Sequence, residues 1–138
     1  MKVAVAVITD DIGRVLITRR SADAPHGGML WEFPGGKLER HESSEAALVR
    51  EIKEEIGLDV LQCTFLGEVH HTYSKHSVCL HVFHVSDFHG EPICQEKQMD
   101  MRWVAFENLQ SFQFPAANQQ IIALIQTSLL TTPQPLSS

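Results

Sequence analysis

The first forty residues alternate between short apolar runs and polar turns, which is the pattern of β-strands. Residues 3–8 are continuously apolar and rich in β-branched side chains, so they predict a strand that is buried on both faces. A polar turn at 10–13 leads to a second strand at 15–18. A short strand at 31–33 then runs into a glycine turn at 33–37, where the main chain can approach a ligand closely.

The apolar spacing lengthens to three and four residues after position 43, which predicts an α-helix. Ser43 is its expected N-cap, and Gly57 is the expected left-handed residue that ends it. The apolar stripe of this helix consists of Leu48, Val49, Ile52 and Ile56. At about 100° per residue, the glutamates near the end of the helix are expected on a different face from that stripe.

The second half of the chain predicts three further strands and a second helix. Two long segments at 60–73 and 77–88 are expected to be neighbouring strands joined by 74–76, and another strand is expected at 101–105. Pro115 fits the first position of a helix whose core residues are Ile121, Ile122, Leu124 and Ile125. Residues 131–138 predict a disordered tail. Strands interleaved with two helices predict an α/β fold, with a single domain over residues 1–130 arranged as helix, sheet and helix.

Composition narrows the classes of function. The 138 residues carry a net charge of −6, which argues against a stable nucleic-acid complex because phosphate backbones are bound by basic patches. An acidic protein can still hold a nucleotide when metal ions bridge the two anions. The apolar run at 3–8 is too short for a secretory signal, and no run approaches about 18 apolar residues. We therefore expect a cytoplasmic protein with no membrane partner.

The cysteines and histidines do not show the spacing of a metal site. Cys63, Cys79 and Cys94 are odd in number and form no CxxC pair, so reduced thiols are expected rather than a disulfide framework or a zinc ribbon. His70 and His71 are adjacent in a predicted strand and are expected on its opposite faces. The sequence spacing therefore gives no support for a histidine-based zinc site.

Three glutamates lie within five residues of the first predicted helix. Residues three and four apart are neighbours on a helix, so Glu51, Glu54 and Glu55 are expected to crowd together. Two unit charges ~6 Å apart repel by roughly 3 kcal/mol at an effective dielectric near 20. A solvated helix face is the ordinary alternative. The neighbouring glycine turn and Glu42 favour a cation site instead, and oxygen ligands suit Mg²⁺ or Mn²⁺.

The segment GKLERHESSEAALVREIKEEIGL, residues 36–58, resembles the complete Nudix box at every specified position. Residues 17–24, 31–37 and 114–118 are similar to the MutT branch of that family. The resemblance implies a Nudix α/β/α sandwich with a mixed β-sheet between helices. It also implies a pyrophosphohydrolase that cleaves oxidised purine nucleoside triphosphates, notably 8-oxo-dGTP, to the monophosphate and pyrophosphate. Such an enzyme cleans the nucleotide pool and so avoids mutation during DNA replication.

The resemblance also implies roles for individual residues. The implied metal ligands, for Mg²⁺ with Mn²⁺ as a possible substitute, are Gly35 through its carbonyl, Glu51, Glu54, Glu55 and Glu96. Glu91 is the rival of Glu96 for the ligand on the loop after the long strands. The implied catalytic set is Glu51, Glu54, Glu96 and Arg50. The general base is left open between Glu51 and Glu96, and Arg50 and Glu42 are expected to orient the glutamates.

Substrate contacts are expected from four residues. Arg20 and Lys37 suit phosphate oxygens, as a bidentate fork and a mobile point charge. Asn118 and the main chain of Phe33 are the implied base contacts, because an amide offers both a donor and an acceptor to an 8-oxo-purine. The alternative for Asn118 is helix N-terminal capping after Pro115. The alternatives for Arg20 and Lys37 are an exposed strand position and a solvated loop.

One departure from the MutT pattern concerns the connection between the long strands. MutT-type proteins can carry an Asp-Arg pair there that closes over the base, whereas residues 73–77 read Tyr-Ser-Lys-His-Ser. A Nudix hydrolase acting on an unmodified dNTP or on ADP-ribose is therefore the alternative function. A non-catalytic regulator is disfavoured because every glutamate of the box is present. We expect a monomer acting on a small-molecule nucleoside triphosphate.

Overall fold

The computed structural model describes residues 1–24, 28–73, 75–95 and 98–130. The strands are β1 Lys2–Ile8, β2 Arg14–Arg20, β3 Trp31–Glu32, β4 Gly35–Lys37, β5 Asp59–Tyr73, β6 His76–His89 and β7 Gln98–Ala105. The helices are α1 Ser44–Ile56 and α2 Ala116–Ile125, with a 3₁₀ helix at Phe106–Ser111 and a π-helical turn at Gln126–Leu130. The predicted disordered tail at 131–138 lies outside the described residues.

The strands form two sheets rather than the single sheet that the sequence predicts. The larger sheet has the order β4-β1-β6-β5, in which β1 and β6 are parallel and the other pairs antiparallel. The smaller sheet has the order β3-β2-β7 and is antiparallel throughout. The larger sheet is thus mixed and lies between the two helices, so the predicted α/β/α class is confirmed.

Strand β1 supplies side chains to both cores, as the continuous apolar run predicts. Ala4, Ala6 and Ile8 pack with the buried face of α1. Val5 and Val7 face the other way and pack with Ile121 and its neighbours on α2. Every residue from 4 to 8 is at most 5% exposed. The strand is buried on both sides because each face has its own helix.

A β-bulge in β5 changes which side chains face α1. Phe65 pairs with Phe83, but the next pair is Gly67 with Val82, so Leu66 has no counterpart on β6. Beyond the bulge, Val69 packs with the buried residues of α2. Glu68 and His70 therefore face the α1 side of the sheet. The predicted opposite orientation of His70 and His71 follows from the same alternation.

Three local predictions are wrong. The glycine turn at 33–37 is instead largely the short strand β4, whose residues Gly35–Lys37 pair with β1. Val49 is 40% exposed and does not belong to the apolar stripe of α1. Pro115 is the N-cap of α2 rather than its first residue. No helix in the described part of the chain is long and apolar enough to cross a membrane.

Candidate active site

Helix α1 carries the glutamate cluster, and both of its ends are fixed by the residues that the sequence predicts. The side chain of Ser43 accepts a hydrogen bond from the Ala46 amide at 3.1 Å. Gly57 adopts the left-handed conformation with φ of 75°, and its amide donates to the Lys53 carbonyl. Because both ends are capped, the glutamates near the last turn lie on a regular helix.

Glu51 lies directly against the main chain of β4. A Cβ atom built on Gly36 would fall 2.3 Å from the Glu51 carboxyl carbon and 2.4 and 2.6 Å from its two oxygens. The side chain of Glu51 is 17% exposed. Glycine at position 36 therefore leaves the space that the carboxylate occupies.

Arg50 connects several carboxylates on the same side of α1. Its Nε and Nη2 donate to the two oxygens of Glu42 at 2.7 and 2.8 Å, a bidentate pair. Its Nη1 contacts Glu51 at 3.0 Å and Glu54 at 3.3 Å, and Nη2 also reaches the carbonyl of Lys37. Hydrogen bonds from Arg50 lower the pKa of Glu42 to about 2. This geometry supports the predicted orienting role of Arg50 and Glu42.

Glu55 is buried, so the expectation that all three glutamates avoid the buried face of α1 is wrong. It follows Leu48 by seven residues, about two turns, and therefore lies in line with the apolar stripe. The Gly35 amide donates to Oε2 at 2.9 Å, and the Gln98 side chain donates to Oε1 at 3.0 Å. Burial, and next the negative charge of Glu32, raise the pKa of Glu55 to about 8.

The loop that carries Glu96 is attached to the C-terminal turn of α1. The Ile93 amide donates to the Ile56 carbonyl, and the Gln95 amide donates to the Glu55 carbonyl, each at 2.9 Å. Glu96 itself lies outside the described residues, so its role as a ligand stays a prediction. Gln95 and Gln98, on either side of it, both contact Glu55. The rival Glu91 is exposed, and no contact joins it to the helix glutamates among the described residues.

A cavity of about 480 Å³ opens on the α2 side of the large sheet. Its floor is made by Val3, Val5, Val78 and Leu80. All four predicted substrate contacts line it, together with one predicted metal ligand: Arg20, Phe33, Gly35, Lys37 and Asn118. An apolar cavity with a few convergent polar groups is the usual form of a small-molecule site.

Asn118 connects helix α2 to the strand segment at the cavity wall. Its Oδ1 accepts a hydrogen bond from the Phe33 amide at 3.2 Å. The N-cap of α2 is Pro115, which has no side-chain cap bond, so the capping alternative for Asn118 is wrong. The ring of Phe33 stacks on Phe114 with centroids 5.4 Å apart. The two predicted base contacts are therefore held beside each other.

The two predicted phosphate contacts both border the cavity. Arg20 Nε donates to Glu32 Oε1 at 2.9 Å, and both residues line the cavity. Lys37 is exposed on β4, next to Gly36 and so next to Glu51. Both residues border the cavity, which supports the predicted phosphate contacts, and the alternative of a solvated position stays open for the exposed Lys37.

Sequence reasoning missed three residues of the site. Glu32 pairs with Arg20, Gln98 donates to Glu55, and His71 lines the cavity. The alternation of β5 could have indicated that His71 shares a face with Val69. No local pattern marks Gln98, which is 43 residues from its partner.

The donor set fits a divalent cation. Glu51, Glu54 and Glu55 offer carboxylate oxygens on one helix, and oxygen is the donor that Mg²⁺ and Mn²⁺ prefer. Burial, and next the charge of Glu32, raise the pKa of Glu55, and a cation beside this carboxylate would favour its ionised form. The three side chains therefore have the donor composition of a metal site.

The sequence matches the NUDIX domain family over residues 3–124. The chain is 33% identical to an 8-oxo-dGTP diphosphatase of Escherichia coli K12 over 91% of its own length and 96% of that protein. It is 37% identical to a CTP pyrophosphohydrolase of the same organism, over 85% of this chain and 84% of that one. Its fold superposes on a MutT Nudix hydrolase from Burkholderia pseudomallei with a TM-score of 0.81 and 29% identity, over 90% and 96% of the two chains.

Proposed function

The chain belongs to the Nudix family, and from this premise we propose that it is a Mg²⁺-dependent pyrophosphohydrolase that cleaves 8-oxo-dGTP to 8-oxo-dGMP and pyrophosphate. The observation that carries the proposal is the cavity, because Arg20, Phe33, Lys37 and Asn118 line it together. A nucleotide needs a place for its base, a place for its phosphates and a cation between them. The described residues supply candidates for all three.

Nudix hydrolases use divalent metal ions, and Mg²⁺ is our proposal for this chain, with Mn²⁺ as a possible substitute. Glu51, Glu54 and Glu55 would hold it, together with Glu96 and the carbonyl of Gly35. When bound, the cation neutralises phosphate charge and lowers the pKa of water. In an antiparallel strand both main-chain groups of a residue point to the same edge. The Gly35 amide already points to Glu55, which supports its carbonyl as a ligand.

The protein's own groups divide the remaining work. Strand β4 is at the edge of the large sheet, so a nucleotide in the cavity can extend its phosphates around this edge towards α1. Arg20 and Lys37 border that route and would bind phosphate oxygens. Glu51 is our first candidate for the group that accepts a proton from the attacking water, with Glu96 second. Arg50, 3.0 Å from Glu51, would hold that carboxylate in position.

Base selection is assigned to Asn118 and Phe33. Asn118 Oδ1 accepts from the Phe33 amide, so the amide group of Asn118 is held in one orientation at the cavity. An oriented amide can pair with the altered edge of an 8-oxo-purine, and a base with the wrong edge would leave it unpaired. Leaving a buried polar group unpaired costs about 1–3 kcal/mol, which would favour the oxidised base.

The test is a comparison of kcat/KM for 8-oxo-dGTP and dGTP with Mg²⁺, in the parent and in Asn118→Asp. This variant keeps the acceptor for the Phe33 amide but loses the amide donor. We expect kcat/KM for 8-oxo-dGTP to fall roughly 10–100-fold, and the ratio over dGTP to fall with it. Gln119→Ala is the matched control, because Gln119 is exposed on the same helix. Equal kcat/KM values for the two substrates in the parent would refute the proposed selectivity.

A second candidate is an unmodified pyrimidine triphosphate. The relative named CTP pyrophosphohydrolase is 37% identical to this chain, slightly more than the 33% of the Escherichia coli 8-oxo-dGTP diphosphatase. Residues 73–77 also lack the Asp-Arg pair that can close over a purine. A panel of 8-oxo-dGTP, dGTP, CTP and ADP-ribose separates the candidates. A higher kcat/KM for CTP would assign the chain to the second substrate class.

We also propose that the protein works as a monomer. Its substrate class would place it in the cytoplasm, where free nucleotides are consumed during DNA replication. Gel filtration with light scattering tests the first statement. An activity that falls on dilution, together with a dimeric mass, would contradict it.

A further inference from the structure

Four potential metal ligands meet on the face of β5 and β6 that lies opposite the cavity. Glu68 is paired with His81 across the two strands, and His70 is paired with Cys79. Residues two apart on a strand share a face, so the four side chains form a square. The β-bulge at Leu66 is what brings Glu68 and His70 to this face, because a regular β5 would place Gly67 opposite His81.

The ligand atoms are already close together. The two oxygens of Glu68 lie 3.2 Å from His70 Nε2 and 3.3 Å from His81 Nε2. Cys79 Sγ lies 4.0 Å from His70 Nε2. The ligand atoms of Glu68, His70 and Cys79 are all within 4.8 Å of one another. Bonds of 2.0–2.3 Å to Zn²⁺ place tetrahedral ligand atoms about 3.3–3.8 Å apart, so small side-chain rotations would close these three residues around one ion. His81 is outside this group and would join it by a larger rotation from its position beside Glu68.

His81 is the fourth member of the square, and its ring is fixed by a contact outside the square. Its Nδ1 is 2.6 Å from the hydroxyl of Ser44, the first residue of α1. Its Nε2 is buried and lies 3.3 Å from a Glu68 oxygen, without the geometry of a hydrogen bond. A cation between the two groups would satisfy both. Metal-bound histidines typically have their second nitrogen held in this way by a polar group.

The ordinary alternative is a pair of exposed Glu–His contacts on a sheet surface. Such contacts contribute little to stability, and they do not explain the cysteine in register with His70. We propose that Glu68, His70, Cys79 and His81 form a binding site for a borderline divalent transition-metal ion, with Zn²⁺ as the best match to thiolate, imidazole and carboxylate ligands.

This site is distinct from the glutamate cluster. His71 follows His70 on β5, and Val78 and Leu80 flank Cys79 on β6. These three neighbours line the cavity on the other face of the sheet. A bound ion would cross-link β5 with β6 and, through Ser44, hold the N-terminal turn of α1. We therefore assign it a structural role, in which the ion raises the melting temperature.

The test is a titration of the reduced, metal-free protein with Zn²⁺ in excess Mg²⁺, followed by calorimetry and by melting. We expect one Zn²⁺ per chain and a higher Tm. In a parallel titration, Co²⁺ should give a thiolate-to-cobalt charge-transfer band, which carboxylate ligands cannot produce. Cys79→Ser should remove the band, whereas His70→Ala should keep it but require more Co²⁺ to reach it. Each should weaken Zn²⁺ binding at least about 100-fold, more than loss of an outer partner. Ser44→Ala should weaken it about 10–100-fold.

The matched control is Cys94→Ser, an exposed cysteine away from the square, which should retain the band and the affinity. His70 is an exposed side chain, so His70→Ala remains informative if Cys79→Ser fails to fold. Failure to bind Zn²⁺ in the presence of Mg²⁺ would overturn the proposal. So would Zn²⁺ binding that survives His70→Ala and Cys79→Ser but is lost in Glu54→Gln. None of these measurements depends on nucleotide hydrolysis, so a negative result for Zn²⁺ would leave the proposed hydrolase activity unaffected.

Discussion

Gly36→Ala should disable the site while leaving the fold intact. The added Cβ would lie 2.3 Å from the carboxyl carbon of Glu51, whereas ordinary contact begins near 3.4 Å. The carboxylate must therefore move by at least about 1.1 Å, the difference between these distances. Gly36 does not have a positive φ, so alanine fits the local main chain. The atoms that must shift belong to the end of a flexible side chain.

The expected loss of activity in Gly36→Ala follows from how little displacement of its ligands a metal site tolerates. Metal–ligand distances are held within about 0.2 Å, and a misplacement of about 1 Å can cost a factor of about 10² in rate. We expect kcat/KM to fall about 100-fold, equivalent to about 2.7 kcal/mol. The Mg²⁺ concentration for half-maximal rate should rise as well. Thermal melting of the metal-free protein should stay unchanged or improve slightly, because alanine is less flexible than glycine in a strand.

Gly13→Ala is the matched control, because it should lower stability and leave activity unchanged. Gly13 has φ of 83° with nothing within 4 Å of an added Cβ. Alanine there should lower stability by about 1 kcal/mol without changing kcat/KM. Full activity in Gly36→Ala would refute the assignment of Glu51 to the metal or to the attacking water. A loss of Tm in proportion to the loss of activity would show instead that position 36 acts through the fold.

Three further outcomes are expected. Glu54→Gln should lower kcat at least about 100-fold, since even a change in a residue that only contacts a metal ligand costs 10–100-fold. The melting temperature should be unchanged because the side chain is half exposed. Unchanged turnover would exclude a role as metal ligand. The free energy of unfolding of the metal-free protein should fall by roughly 3–5 kcal/mol as pH rises from 4.5 to about 8. The reason is that the fold favours the neutral form of Glu55, which is lost over this range. Urea unfolding of Glu55→Gln should not show this dependence on pH. Arg50→Lys should reduce kcat by about tenfold or more, since lysine cannot reproduce the bidentate contact with Glu42, and kinetics equal to the parent would contradict the orienting role.

Local features of the chain could be predicted because their causes are local. The boundaries of α1 follow from Ser43 and Gly57, whose conformations depend on a few neighbouring residues. The double burial of β1 follows from its unbroken apolar run. The Nudix box gave the helix glutamates and Lys37, and the short MutT-like segments gave Arg20, Phe33 and Asn118. Each of these motifs is itself a local pattern, although the residues come from distant parts of the chain.

Features that depend on distant partners could not be predicted. Glu55 is acceptable in a buried position because Gly35 and Gln98, 20 and 43 residues away, donate to it. The main-chain partner of Asn118 is Phe33, which is 85 residues distant, and no local pattern indicates this contact. Periodicity counts residues evenly, so it also missed the bulge at Leu66, after which β5 presents the opposite set of side chains to α1.

The irregular β5 has a consequence for behaviour at high concentration. It is the outer strand of the large sheet, and at 15 residues its exposed edge is long enough to serve as a template for a second chain. Its register shifts at three places, between Val60 and Gln62, between Gln62 and Cys63, and between Phe65 and Gly67. An incoming strand would find the hydrogen-bonding groups out of step between Val60 and Gly67. We expect these irregularities to disfavour edge-to-edge aggregation along that half of the strand.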